Sequence, residues 1–327
     1  MNLSELSTKK IYLTKEFMSY SSSLLHLPIF TSLHSKEDTS KNYIFKTDRY
    51  WGFDDVVIHS PWLSIKSDFK VFSFILRNFY SNFNKENKNP YEFNFSIEKY
   101  LEDLEIRNNR SYYVSQIKAS IEKLSLINIG FTKDDKRYVC KILSAPENEC
   151  LYDKNQLTGD IKIKIDSHFV NFFNHNPELI LNIDHKELDS VEGDFAKVLY
   201  TFYKTNQQTN IFDKEVIIQR LRPDADRKLY RKILTKIKEA HNELIECGLI
   251  EKVDYQKKWN VKEISHFKID FTDGYTIQKY KKEAEIERRK KEESNKKLEE
   301  IKNKRPNLFE KKKDQEDEEP KDDPIPF

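Results

Sequence analysis

Along the first half of the chain, apolar residues recur at helical spacing in three stretches and then alternate with polar ones. Residues 67–83 and 111–128 repeat apolar side chains at the helical period, which predicts two amphipathic helices. Between them, residues 96–104 show the same spacing over a shorter length and open with Ser96, a favourable helix cap. Residues 127–143 alternate on both sides of a Lys-Asp-Asp-Lys turn, which predicts a β-hairpin.

The same order of patterns returns in the second half of the chain. Residues 192–205 have a helical apolar stripe, and residues 213–221 form a shorter one that opens with an aspartate suited to capping. The apolar spacing of residues 227–250 predicts a long third helix that ends at Gly248. Residues 250–271 then alternate as a second hairpin.

The two predicted third helices also resemble each other in sequence. The stretch IKASIEKL at residues 117–124 matches IKEAHNEL at residues 237–244 at its Ile, Lys and Leu positions. The 120-residue offset between them is too long for a solenoid repeat and fits two domains of common ancestry.

Three helices followed by a hairpin form the winged-helix variant of the helix-turn-helix, in which the third helix enters the DNA major groove. The predicted fold is therefore α+β, with two tandem winged-helix domains and a charged C-terminal tail that is helical and partly disordered. We expect an N-terminal segment over 1–24, winged-helix domains over 25–165 and 166–272, and the tail over 273–327.

Composition and motifs limit the kinds of catalytic and metal-binding site that this sequence can contain. The 327 residues include 57 Lys and Arg against 55 Asp and Glu, a net charge of +2, and only six glycines. No glycine-rich phosphate loop and no HExxH pattern is present, and His168, His175 and His185 are read as ordinary histidines. We therefore expect no enzymatic activity, no catalytic residue, no cofactor and no metal.

Cysteine spacing and the lack of long apolar stretches predict the cellular compartment. Three cysteines without CxxC spacing, Cys140, Cys150 and Cys247, favour a reducing compartment. The opening residues MNLSELSTKK lack the apolar core of a signal peptide, and no window approaches 18 apolar residues. The expectation is a cytoplasmic protein with no membrane partner.

Basic residues concentrate where a winged helix meets DNA. In the second copy, positive side chains run from Arg220 through Lys238, in or just before the third helix. A single basic helix is ordinarily explained as a solvated surface. When a basic hairpin follows such a helix, as it does here, the combination favours salt-dependent DNA binding. Base edges would be read by Arg227, Lys228 and Arg231 at the start of the helix. The candidate DNA contacts are Arg110, Tyr112, Tyr113, Gln116, Lys118, Lys136, Arg137, Arg222, Arg227, Lys228, Arg231, Lys232, Lys236, Lys257 and Lys258.

The stretch WGFDDVVIHSPWLSIKSDFKVFSFIL ahead of the first predicted helix, together with the duplicated architecture, resembles the replication initiator (Rep) proteins of theta-replicating bacterial plasmids, including the TrfA-like group. The resemblance covers residues 25–272. It implies that the second domain binds repeated origin sites (iterons) through residues 227–238 and that residues 110–118 add a second contact. It also implies a homodimer through the first domain, origin opening by monomers, and autorepression and copy control by dimers. The third helix of the first domain departs from this pattern, because it is rich in Tyr and Ser and is not strongly basic.

Three other readings remain. A winged-helix transcriptional repressor would have the same core. A rolling-circle nuclease would need a metal-binding His pair, which the sequence lacks. A coiled-coil adaptor would need a sustained apolar seam, but residues 275–305 carry only isolated apolar positions and predict a solvated helix.

The tail carries two short apolar motifs in a charged setting. RPNLF at 305–309 resembles a sliding-clamp ligand at its Leu-Phe pair, and the ending KDDPIPF resembles the acidic tip of bacterial single-stranded-DNA-binding proteins. That resemblance implies docking of host replication proteins on the tip; the alternative is an acidic tail with an accidental ending. The candidate partner-binding residues are Leu308, Phe309, Asp322, Asp323, Ile325, Pro326 and Phe327.

Overall fold

The computed structural model describes residues 14, 16–32, 42–50, 53–83, 89–147, 149–174, 180–206, 209–257 and 263–272. These residues combine helices with several small sheets, in keeping with the predicted α+β class. The described residues as far as Phe271 form one compact unit. The predicted division at residues 165 and 166 stays a prediction.

The described residues of the N-terminal part form strands and one short helix, none of which the sequence pattern predicted. Its elements are β1 (Phe17–Ser21), α1 (Ser22–His26), β2 (Phe30–Thr31), β3 (Asn42–Tyr50), β4 (Phe53–Pro61) and β5 (Leu63–Ser64).

The first predicted set of three helices and a hairpin is present, with an additional strand before its second helix. Its elements are α2 (Asp68–Phe83), β6 (Glu92–Ser96), α3 (Ile97–Asp103), α4 (Arg110–Ser125), β7 (Asn128–Lys133) and β8 (Lys136–Lys141). The elements that follow are β9 (Leu143–Ser144), β10 (Asp160–Ile165), α5 (Ser167–Asn174), β11 (Ile180–Asp184) and α6 (His185–Ser190).

The second set repeats this order. Its elements are α7 (Asp194–Thr205), β12 (Ile211–Asp213), α8 (Lys214–Leu221), α9 (Tyr230–Glu246), β13 (Ile250–Lys257) and β14 (Ile264–Phe271). Strand β12 pairs with β14, and β14 pairs with β13, so the strand before α8 joins the hairpin in one antiparallel sheet.

The hairpin of the first set is paired differently. The β7–β8 hairpin continues through β4 to β3 in a four-stranded antiparallel sheet, while β6 pairs with β10. The two sets therefore share an order of elements but not a sheet topology.

Local signals fixed the ends of several elements as predicted. The Ser96 side chain accepts a hydrogen bond from the Lys99 amide at the start of α3. Asp213 accepts hydrogen bonds from two amides at the start of α8. Gly248 has a φ of +70°, which an L side chain rarely adopts, directly after α9.

Asp68, the first residue of α2, links that helix to α4. Its buried carboxylate accepts hydrogen bonds from the Ser64 amide at 2.7 Å and the Ser120 hydroxyl at 2.5 Å. The Lys123 ammonium lies 3.1 Å from the same carboxylate. Asp68 thus fastens the start of α2 to the middle of α4.

The N-terminal part lies in the core between the two sets of helices. Phe30 in β2 packs its ring 5.1 Å from those of Phe69 and Phe72 in α2. His26 in α1 places its ring 4.9 Å from that of Phe202 in α7. Strands β1 and β11 pair antiparallel, with Ser19 opposite Asn182, which lies 163 residues later in the sequence.

The prediction that Arg220 belongs to an exposed basic face is wrong. Its side chain is buried at the end of α8 and donates hydrogen bonds to the carbonyls of Leu25 and Phe30. Since Arg220 follows Ile217 by three positions, it lies on the apolar side of α8.

Candidate nucleic-acid interface

Helix α9 presents a basic face to solvent because its apolar residues recur at the helical period. Ile233, Ile237 and Leu244 are buried against the rest of the unit. The opposite face exposes four basic side chains, Arg231, Lys232, Lys236 and Lys238, and two acidic ones, Glu239 and Glu246.

His241 anchors the buried side of α9. Its Nε2 lies 2.6 Å from the Tyr203 hydroxyl of α7, and its Nδ1 lies 3.2 Å from the Tyr255 hydroxyl of β13. Burial lowers the pKa of His241 to about 3, so the ring is neutral at physiological pH. The orientation of the basic face therefore depends on a buried polar contact between three elements.

The sequence predicted that Arg227 and Lys228 lie at the start of α9. In the structure they lie in the turn before it. The helix begins at Tyr230, and both side chains are exposed in the preceding turn. Asp226 shapes that turn, because its carboxylate accepts hydrogen bonds from the Lys228 and Leu229 amides at 2.9 and 3.1 Å.

Other basic residues of the second set already have partners within the protein. The Lys236 ammonium lies 2.7 Å from the Glu239 carboxylate, and the Lys238 ammonium lies 5.5 Å from the centre of the Tyr255 ring. Arg222 forms an ion pair with Asp224.

Lys257 is exposed at the end of β13, whereas Lys258 falls outside the described residues.

Helix α4 of the first set presents a mainly uncharged surface. Tyr112 is 60% exposed, and its hydroxyl accepts a hydrogen bond of 2.6 Å from the Gln116 amide. Tyr113 is half-buried beside it. Arg110 donates hydrogen bonds to the Leu157 carbonyl and to Glu98, so its guanidinium is held at the start of the helix.

Lys118 points into the protein and away from this surface. Its ammonium donates hydrogen bonds to the carbonyls of Asp153 and Lys154, at 2.7 and 2.9 Å, and lies 5.6 Å from the centre of the Tyr152 ring. Lys118 follows Val114 by four positions and therefore shares the buried face of α4, a signal present in the sequence.

The β7–β8 hairpin exposes Lys136 and Arg137. The Arg137 guanidinium folds back on the sheet and donates a 2.6 Å hydrogen bond to the Asp55 carbonyl. It lies across Gly130, where an added Cβ would be 2.6 Å from Nη2. A side chain at position 130 would therefore displace the arginine.

The tail motifs, from Leu308 to Phe327, fall outside the described residues, as does His175. Within the described ranges, no group of three or more His, Cys, Asp or Glu residues is arranged to hold a metal ion. None of the helices in those ranges is both long enough and apolar enough to cross a membrane.

No family model matches the chain, and no curated protein matches it. Among solved structures, the crystal structure of a selenomethionine derivative of domains 2 and 3 of RctB is similar over 76% of this chain and 98% of that chain. The TM-score is 0.42 and the sequence identity is 13%.

Proposed function

We propose that this protein binds duplex DNA through two winged-helix domains and acts as a plasmid replication initiator at repeated origin sites. The observation that carries the proposal is the duplicated order of elements, helix–strand–helix–helix–hairpin, with an exposed third helix in each copy. The three-stranded β12–β14–β13 sheet behind α9 supports a winged helix in the second copy, since the hairpin projects beside the third helix.

Under this proposal, some of the exposed basic residues contact base edges and others contact phosphates. Arg227, Lys228 and Arg231 lie exposed around the amino end of α9, the part of a recognition helix that meets base edges. An arginine that forms two hydrogen bonds with guanine contributes about 1–3 kcal/mol of discrimination. Lys232 and Lys257 are exposed cations suited to phosphates, which supply affinity without sequence preference.

The direct test selects DNA sites from a random duplex library with the wild-type protein and then measures affinity by gel shift at several salt concentrations. We expect Arg227→Ala together with Arg231→Ala to weaken binding to the selected site by about tenfold or more, with a smaller effect on random DNA.

Lys162→Ala together with Lys186→Ala is the matched control, because it also removes two exposed cations, and these lie in β10 and α6, outside both third helices and both hairpins. Equal affinity of the double arginine variant and the wild type for the selected site would contradict the assignment.

Initiation is distinguished from repression by the arrangement of sites and by replication itself. Two recognition helices that enter successive major grooves cover about twenty base pairs, so an initiator predicts direct repeats of that length. A plasmid that carries those repeats should replicate only when the protein is supplied. A single palindromic operator without replication would favour the transcriptional repressor.

The proposal includes recruitment of host replication proteins by the acidic tip, supported by its sequence resemblance alone. A labelled peptide of the last residues should bind a purified host protein that docks on the single-stranded-DNA-binding protein, and Phe327→Ala should abolish this binding. Binding that survives Phe327→Ala would contradict this part of the proposal.

A further inference from the structure

The carboxyl end of α8 is fastened to the N-terminal part of the chain through three consecutive residues. Arg220 donates hydrogen bonds of 2.7 Å to the Phe30 carbonyl and 3.1 Å to the Leu25 carbonyl. The carbonyl of Leu221 accepts a hydrogen bond of 3.4 Å from the Ser32 hydroxyl. Because both Arg220 and Ser32 are buried, these contacts are shielded from competing water.

Arg222 completes this contact with a different interaction. Its guanidinium carbon lies 5.0 Å from the centre of the Trp62 ring, within the range of a cation–π interaction. Trp62 follows β4 and is only 1% exposed, and its other neighbours include the Tyr43 ring at 4.9 Å. The ring therefore offers a fixed surface on which the guanidinium rests.

The same side chain also shapes the turn that leads to α9. The Arg222 Nε and Nη2 atoms each donate a hydrogen bond of 3.1 Å to a different oxygen of Asp224. The Arg222 carbonyl accepts a hydrogen bond of 3.0 Å from the Ala225 amide. With a side chain only 12% exposed, Arg222 is enclosed between Trp62 and the turn.

We propose that Arg222 is a positioning residue, which holds the turn carrying Arg227 and Lys228 against Trp62 and does not itself contact DNA. This inference rests on the proposed DNA-binding function and replaces the sequence prediction for Arg222. Its consequence is that the amino end of α9 keeps one position relative to the end of β4, a strand that pairs with β7 of the first set. The two third helices would then require DNA sites with one fixed spacing.

The test separates a positioning role from a phosphate contact by salt dependence. Arg222→Ala should weaken binding to the selected site about tenfold, in line with a partly desolvated cation–π contact. The slope of log affinity against log salt should stay that of the wild type, because no counterion is released at this residue. Lys232→Ala is the control, because this exposed lysine is assigned to a phosphate, and loss of a phosphate contact lowers the slope by about one unit.

Two further variants make the distinction sharper. Arg222→Lys should weaken binding as much as Arg222→Ala, since an ammonium does not reproduce the two-pronged contact with Asp224 and the planar contact with Trp62. In the Trp62→Leu protein, Arg222→Ala should weaken binding by less than about twofold, because the two residues act together. Circular dichroism establishes that each variant is folded.

A slope that falls by about one unit in Arg222→Ala, or full binding by Arg222→Lys, would overturn the inference while leaving DNA binding intact. If Trp62→Leu fails to fold, the salt slopes and Arg222→Lys still decide the question. A wild-type protein that selects no duplex at all would instead refute the proposed function.

Discussion

The buried histidine His241 makes the stability of the protein depend on pH in a predictable direction. The ring is fully buried between α7, α9 and β13, and its two nitrogens face the hydroxyls of Tyr203 and Tyr255. Burial lowers its pKa to about 3 in the folded protein, whereas an unfolded histidine has a pKa of about 6.5. Protons therefore bind the unfolded chain more tightly, and stability falls as the pH drops from about 6.5 towards 3.

The size of the effect follows from the difference between the two pKa values. At pH 5, the unfolded histidine is almost fully protonated and the folded one almost fully neutral, which removes about 2 kcal/mol of folding free energy. Burial also lowers the pKa of His26 and His185 to about 4 each. By the same reasoning, each of these removes about 2 kcal/mol at pH 5.

His241→Gln isolates one of these three contributions. Glutamine can keep a hydrogen bond to Tyr203 and does not titrate, so the variant should lose about 2 kcal/mol less than the wild type between pH 7.5 and 5.0. Urea unfolding followed by circular dichroism at both pH values measures this difference. His168→Gln is the control, since the His168 side chain is 52% exposed in the folded protein. An identical loss of stability in His241→Gln and wild type would refute the view that burial holds this ring neutral.

Two further predictions concern stability. Asp68→Ala should lower the free energy of unfolding by about 3 kcal/mol, because it leaves the Ser64 amide, the Ser120 hydroxyl and the Lys123 ammonium without their shared carboxylate. Asp54→Ala is the control, because its carboxylate is 64% exposed, and it should cost less than about 0.5 kcal/mol. If Asp68→Ala and Asp54→Ala lower the free energy of unfolding equally in urea, the assigned role of Asp68 is contradicted. Gly248→Ala should cost about 1 kcal/mol through its φ of +70° alone, because no atom lies within 4 Å of the added Cβ; an unchanged thermal midpoint would contradict this.

The sequence predicted well those features that depend on neighbouring residues. Helix spacing in α2, α4, α7 and α9, the Ser96 and Asp213 caps and the stop at Gly248 are all encoded within a few positions. The start of α9 was placed three residues too early, because helical apolar spacing does not reveal that Asp226 closes a separate turn first.

The sequence did not predict features that depend on distant partners. Strand β1 pairs with β11, and β2 pairs in parallel with β5. The two strands have five and two residues, which is too short for an alternating pattern to identify them. The buried positions of Arg220 and Lys118 were missed for another reason. Both were grouped by charge, although each lies on the apolar face of its helix by spacing.

The contrast between α4 and α9 bears on how the proposed DNA binding would divide between the two copies. Helix α9 and its preceding turn expose cations, whereas α4 exposes Tyr112 and Gln116 and holds Arg110 in contact with Glu98. Electrostatic affinity and its salt dependence would therefore come mainly from the second copy. The first copy would contribute hydrogen bonds and aromatic contacts that are weak alone and depend on correct placement. A fixed contact between Arg222 and Trp62, which follows a strand of the sheet that also holds the first hairpin, would make such weak contacts effective. Binding of α9 would then already have positioned α4 at its own part of the site.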